Sequence, residues 1–196
     1  MVARPPGTRP SSAPVRRVPR WEETVTDTAH RTPRRPRHAS RWPLLLLLLL
    51  LLGLCYAVAA VGAVATGDAG STYESLDRPA WAPPPWLFGP VWTVLYATIA
   101  FSFWLVLRRC PLRDVRPEAF AWSAQLAFNL AWTPLFFAAG QYGLAFLDIC
   151  FLLAALGATI VLFRRRSTTA SLLLAPYALW AVYAAALNLA IWQLNT

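Results

Sequence analysis

The chain has 196 residues, 57% of them apolar and only 14% charged, with a formal net charge of +9. A soluble domain of this length rarely combines so many apolar residues with so few charges. All eighteen basic residues are arginine and ten of them precede Trp42, so the charge belongs to one tail. The arginines are not interleaved with base-stacking aromatics, so this is not the pattern of a nucleic-acid-binding domain.

Residues 1–42 are rich in Arg, Pro, Ser and Thr and carry almost no aliphatic periodicity. Such a segment cannot bury enough apolar surface to offset its ordering entropy, so it reads as a disordered tail. Its last part, RTPRRPRHASR, abuts the first apolar run and suits contact with anionic lipid headgroups on the cytoplasmic face. Both histidines, His30 and His38, lie in this tail. The apolar body therefore has no imidazole for a haem iron or a zinc ion. Cys55, Cys110 and Cys150 are scattered, with two of them inside apolar runs, and read as small packing residues rather than disulfide partners.

The first apolar run, Pro43 to Thr66, has 24 residues, enough to cross a bilayer. Its leucines resemble a secretory leader, but the basic segment before it is too long for an ordinary leader. Four further apolar spans follow at about 87–107, 120–139, 142–163 and 171–194. Backbone groups cannot stay unpaired in lipid, so spans of this length are helices. The chain therefore reads as an all-α membrane protein, a bundle of five transmembrane helices over residues 43–196. Pro90 falls in the first turn of the second span, where its missing N–H costs little. Pro134 and Pro176 fall inside the third and fifth spans and predict kinks.

Arginine bias sets the expected orientation. The tail is basic, the 67–86 loop is acidic, the 108–118 loop is basic, the next is neutral, and the last holds Arg164, Arg165 and Arg166. This places the N-terminus in the cytoplasm and the C-terminus and the 67–86 loop outside. That loop is long for a compact bundle and reads as a lid. It ends in WAPPPWLFGPVW, three tryptophans and four prolines in twelve residues. A polyproline docking peptide is the rival reading of this stretch.

Three spans carry aromatic and amide side chains on one face. These are Trp92 and Tyr96; Trp122, Gln125, Asn129 and Trp132; and Trp180, Tyr183 and Asn188. Amides do not face lipid, so they line a pocket or serve as hydrogen-bond glue between helices. Their aromatic company favours a pocket for a flat ligand. Asp148, within the fourth span, is either functional or a hydrated group near the membrane surface. No Ser/His/Asp set, phosphate-cradling loop or pair of carboxylates is present, so no motif argues for an enzyme.

Three segments, LDRPAWAPPPWLFGPVWTVLY, QLAFNLAWTPLFF and PYALWAVYAAALNLAIWQLN, resemble the TspO/MBR family of tryptophan-rich sensory and translocator proteins. The similarity runs in order from about Tyr56 to Asn195. It implies a bundle of five helices, usually dimeric, with a pocket beneath the loop after the first helix. The family's pocket takes porphyrins and haem-like tetrapyrroles, with no obligatory cofactor or metal. Carried over by position, the ligand-binding side chains would be Trp81, Trp92, Tyr96, Asn129, Trp132, Trp180 and Tyr183, joined by Asn188 and Asp148. The resemblance implies a tetrapyrrole sensor or regulator. Its alternatives are light- and oxygen-dependent porphyrin degradation, with Trp92 and Trp180 as candidates, and transport of porphyrin or lipid. The family's animal sterol motif needs a basic residue after an aromatic in the last helix, and none follows Tyr183 here.

Overall fold

The computed structural model describes residues 42–196 and Ala3. The arginine-rich tail therefore lies outside the described residues. Among those described, all regular structure is helical.

Helix α1 (Trp42–Thr66) ends at Gly67, whose φ of 58° is a left-handed conformation that glycine adopts without strain. The expected lid loop contains a helix of its own, α2 (Ala69–Ser75). Asp68 caps it by accepting the Ser71 backbone N–H at 3.1 Å, and that bond holds its carboxyl below the usual carboxylate range. The prolines after it do what their fixed φ allows. Pro84 is extended, Pro85 opens a 3-10 turn (Pro85–Leu87), and Pro90 sits in the first turn of α3 (Phe88–Leu107).

Helix α4 (Arg116–Thr133) begins with Pro117 in its first turn. At Pro134 it widens into a π turn (Pro134–Ala138), where the Ala139 N–H donates to the Pro134 carbonyl. Proline has no N–H for the carbonyl four residues back and crowds it, so the helix relaxes outward there. The disturbance expected at Pro134 takes this form. Helix α5 (Tyr142–Arg166) runs three residues past its expected end, and extended Ser167 caps the short α6 (Thr168–Leu172). The span expected over 171–194 is broken at Leu173 and Leu174. Pro176 therefore occupies the first turn of α7 (Ala175–Leu194) instead of kinking a longer helix.

Four helical stretches are long and apolar enough to cross a membrane: Trp42–Thr66, Pro85–Leu107, Tyr142–Arg166 and Thr168–Leu194. The span expected over 120–139 is not among them. Helix α4 carries Arg116, Glu118, Gln125 and Asn129, and those polar groups dilute its apolar character. It is nonetheless central, packing most extensively on α5 and also against α1. Three of its polar side chains face inward: Glu118, Gln125 and Asn129 are buried, whereas Arg116 and Ser123 are exposed.

The main core is built from Ile99, Val106, Leu156, Phe163, Leu174 and Tyr177, all at most 1% exposed. A second, smaller cluster of Tyr73, Phe136, Ala145, Leu187 and Ile191 closes the other end. Leucines 45, 46, 49, 50 and 54 of α1 are exposed, as suits a surface facing lipid. At the Arg166 end the helices are tied by charge. Arg166 donates to the buried Glu118 carboxylate at 2.7 Å and to the Asp114 carbonyl at 3.0 Å, while Arg109 donates to the Arg166 carbonyl.

Candidate functional site

A cavity of about 310 Å³ lies between α1, α3, α4 and α7. On α7 its lining runs from Tyr177 to Ile191, about 21 Å at 1.5 Å per residue. Helix α1 supplies a thin wall of small residues, Ala59, Gly62 and Ala63. Thr133 of α4 packs so close that a Cβ on Gly62 would lie 3.6 Å from its hydroxyl. The remaining walls mix aromatic rings with aliphatic side chains such as Ile149, Leu152 and Leu187. Trp92 lies 5.4 Å from Tyr96 and 6.1 Å from Tyr177, and Trp180 lies 6.0 Å from Phe88.

Two polar networks interrupt this surface. At the deep end, the Tyr96 hydroxyl donates to Asn129 Oδ1 at 2.6 Å, and Asn129 Nδ2 donates to the Tyr177 hydroxyl at 3.1 Å. Nearer the lid, Trp132 Nε1 donates to Asn188 Oδ1 at 2.9 Å, and Asn188 Nδ2 donates to the Tyr142 carbonyl at 2.9 Å. Asn129 and Asn188 therefore do both jobs left open by the sequence. They join helices, and they line the cavity. Gln125 instead donates to the Trp122 carbonyl of its own helix and lies outside the lining.

The lid closes on α7. Tyr183 donates its hydroxyl proton to the Trp81 carbonyl at 3.0 Å, and their rings lie 5.7 Å apart. Asn195 accepts from the Asp77 N–H at 3.1 Å and donates to the Asp77 carbonyl at 2.9 Å. Within the lid, the Tyr73 hydroxyl donates to the Pro83 carbonyl, and the Arg78 guanidinium stands 4.7 Å from the Tyr73 ring centre. Burial pushes the Tyr73 hydroxyl above the ordinary tyrosine range, which keeps it a neutral donor.

Of the side chains singled out in the sequence, Trp92, Tyr96, Asn129, Trp132, Trp180 and Asn188 line the cavity. Trp81 and Tyr183 do not; they form the lid contact beside it. Asp148 is buried, with its Oδ2 lacking a hydrogen-bond partner, but the lining passes through its neighbours Ile149 and Leu152. Trp86 is 71% exposed. Tyr73, Phe88, Phe136, Phe137 and Tyr177 line the cavity without having been singled out. Among the described residues no group of three His, Cys, Asp or Glu side chains could hold a metal ion. The site offers aromatic faces and a few fixed hydrogen-bonding groups.

The TspO/MBR family profile matches residues 51–193, which contain every element of this cavity. The chain belongs to the TspO/MBR family. Its relatives include animal, bacterial and archaeal proteins. It is 39% identical over 127 residues to the translocator protein of Ovis aries, covering 63% of this chain and 74% of that one. It is 37% identical over 145 residues to the tryptophan-rich protein TspO of Chlorobaculum tepidum, covering 73% and 92%. Protein CrtK of Rhodobacter capsulatus is 35% identical over 144 residues, covering 71% and 90%. With its apolar helices and these relatives, this TspO/MBR chain is a membrane protein. The WAPPPWLFGPVW stretch thus spans the end of the loop and the start of the second long helix of this chain, where Pro85 and Trp92 both reach the cavity.

Proposed function

We propose that this chain is a tetrapyrrole-binding membrane sensor or regulator. The observation that carries the reading is the deep cavity walled by Trp92, Trp180, Phe88 and Tyr96, with amides at two levels. Such a surface suits a flat conjugated ligand, because each stacked or edge-on aromatic contact contributes about 0.5–1.5 kcal/mol beyond burial. The ligand's ionised groups would stay at the lid, where Arg78 supplies a positive charge beside Tyr73. Helix α4 crosses the bilayer as a fifth span in this reading. Its acid and amides, Glu118, Gln125 and Asn129, are turned to the bundle interior, which removes the usual objection to such groups at that depth. The arginines at the ends of α3 and α5 support an orientation with the N-terminus in the cytoplasm and the lid outside.

The test is titration of the purified full chain with protoporphyrin IX, following tryptophan quenching. Saturable quenching that weakens in Trp92→Phe and Trp180→Phe supports the reading, and Arg78→Ala should reduce affinity severalfold. Absence of saturable binding to the wild type refutes it.

A further inference from the structure

We infer that the deep end of the cavity holds an uncommitted hydroxyl proton on Tyr177, and that the preferred ligand brings a neutral hydrogen-bond acceptor to it. The inference rests on the tetrapyrrole reading above and adds which tetrapyrroles fit.

The argument starts from one amide held between two phenols. Asn129 has one accepting oxygen and one donating nitrogen. Whichever way the amide is turned, one phenol gives its proton to the oxygen and the other receives a proton from the nitrogen. The receiving phenol keeps its own proton unused. The two distances decide which phenol that is. The Tyr96 contact, at 2.6 Å, has the length of an O–H···O bond, and the Tyr177 contact, at 3.1 Å, that of an N–H···O bond. Tyr177 is therefore the receiver. Its hydroxyl donates to no other described residue, although the side chain is fully buried and lines the cavity.

A buried donor without an acceptor is costly, so a ligand that supplies the acceptor gains affinity. Depth selects the kind of acceptor. Tyr177 lies in the first turn of α7, at the opposite end of the lining from Ile191 and the lid. An ionised carboxylate at that depth would lose its hydration, and Arg78 is at the other end of the cavity. A carbonyl carries a much smaller desolvation cost. A tetrapyrrole that keeps its propionates beside Arg78 leads with its opposite edge. The favoured class therefore bears a formyl or acyl group on the edge away from its carboxylates.

Two porphyrins with identical propionates test this. Mesoporphyrin IX carries ethyl groups on the leading edge, and diacetyldeuteroporphyrin IX carries acetyl groups of nearly the same size. Tryptophan quenching of the wild-type chain should show the diacetyl compound binding about five- to tenfold more tightly. Tyr96→Phe, Asn129→Leu removes the other members of the network and leaves the Tyr177 hydroxyl, so it should keep the preference. Adding Tyr177→Phe removes that last donor, and the ratio should fall to about one. Equal affinities in the wild type overturn the inference, whatever the variants do. A preference that is lost in the double variant, or survives in the triple variant, overturns the assignment to Tyr177. If neither porphyrin binds the wild type, the tetrapyrrole reading falls and this inference falls with it.

Discussion

Asn195 holds the lid by its backbone, and removing that hold should leave a mark at one amide. Its side chain pairs with both the N–H and the carbonyl of Asp77, and a further bond from Nδ2 to the Ile191 carbonyl, at 2.8 Å, fixes it on α7. Asn195→Ala deletes both bonds to the lid. A net hydrogen bond contributes about 0.5–1.5 kcal/mol, and these two lie at the water-exposed mouth, so the loss should be about 1–2 kcal/mol. That corresponds to roughly a five- to thirtyfold rise in local opening. The assay is hydrogen exchange at the Asp77 amide, whose acceptor among the described residues is Asn195 Oδ1. Exchange there should accelerate by that factor. Amides in the middle of α3 and α5 should not change. Tyr183→Phe, which frees the lid at Trp81 instead, should have a much smaller effect on Asp77. An unchanged Asp77 rate in Asn195→Ala would refute the reasoning, because the lid would then be held by something other than this pair.

The Trp132–Asn188 bond should appear as coupling in a double-mutant cycle. Asn188→Leu, Trp132→Phe and the double variant, compared by unfolding in detergent, should show about 0.5–1.7 kcal/mol. A coupling below about 0.3 kcal/mol would mean that the bond is replaced on unfolding within the micelle. Gly143→Ala should destabilise by about 1–3 kcal/mol through overpacking, since the added Cβ would lie 2.8 Å from the Trp192 ring. Trp192→Phe in the same background should recover part of the loss. Arg166→Gln leaves the Glu118 carboxylate buried without its partner, so it should lower the melting temperature more than the Arg166→Gln, Glu118→Gln pair does. The Asp68 cap gives the lid a pH dependence. Its carboxyl is held low in the folded state, so its stabilising effect is present above the ordinary carboxylate range and is lost as pH falls from there through the lowered folded value. Protection from exchange across Ala69–Ser75, taken relative to the intrinsic rate at each pH, should fall on acidification, and Asp68→Ala should remove that dependence.

The long apolar helices were legible because hydrophobic runs of membrane-spanning length leave the chain few alternatives. Helix α4 was harder to read. It is located by its aromatic and amide stripe, but its inward polar residues leave it short of the apolarity that marks the others. The same stripe, drawn at 100° per residue, placed Trp92, Tyr96, Asn129 and Trp132 on the cavity side. It stopped short at Pro134. Phe136 lies on the same stripe at 100° per residue but falls beyond the proline, whereas Phe137, about 80° from Asn129, lies off the stripe and sits in the π turn. Tyr177 was passed over because Pro176 read as an interior kink. Once α7 is seen to start at Ala175, the tyrosine falls at the cavity's deep end. Helix α2 is short and made of Ala, Gly, Ser, Thr, Tyr and Glu, so only Asp68 ahead of it signals a helix start. Asp148 raised a sound signal, an acid at membrane depth. No sequence pattern, however, distinguishes a buried acid beside a cavity from one inside it.

The small residues of α1 have a practical consequence for any measurement on this protein. Ala59, Gly62 and Ala63 face the cavity while Val61 and Val64 on the same turns are exposed, so one helix backbone separates an occupant from the acyl chains. An apolar occupant partitions into those chains before it meets the protein. Its effective concentration is then a mole fraction in lipid or detergent rather than a molarity in buffer. Dissociation constants from samples with different amounts of detergent become comparable only after that conversion, and adding empty micelles at constant total ligand should weaken apparent binding in proportion.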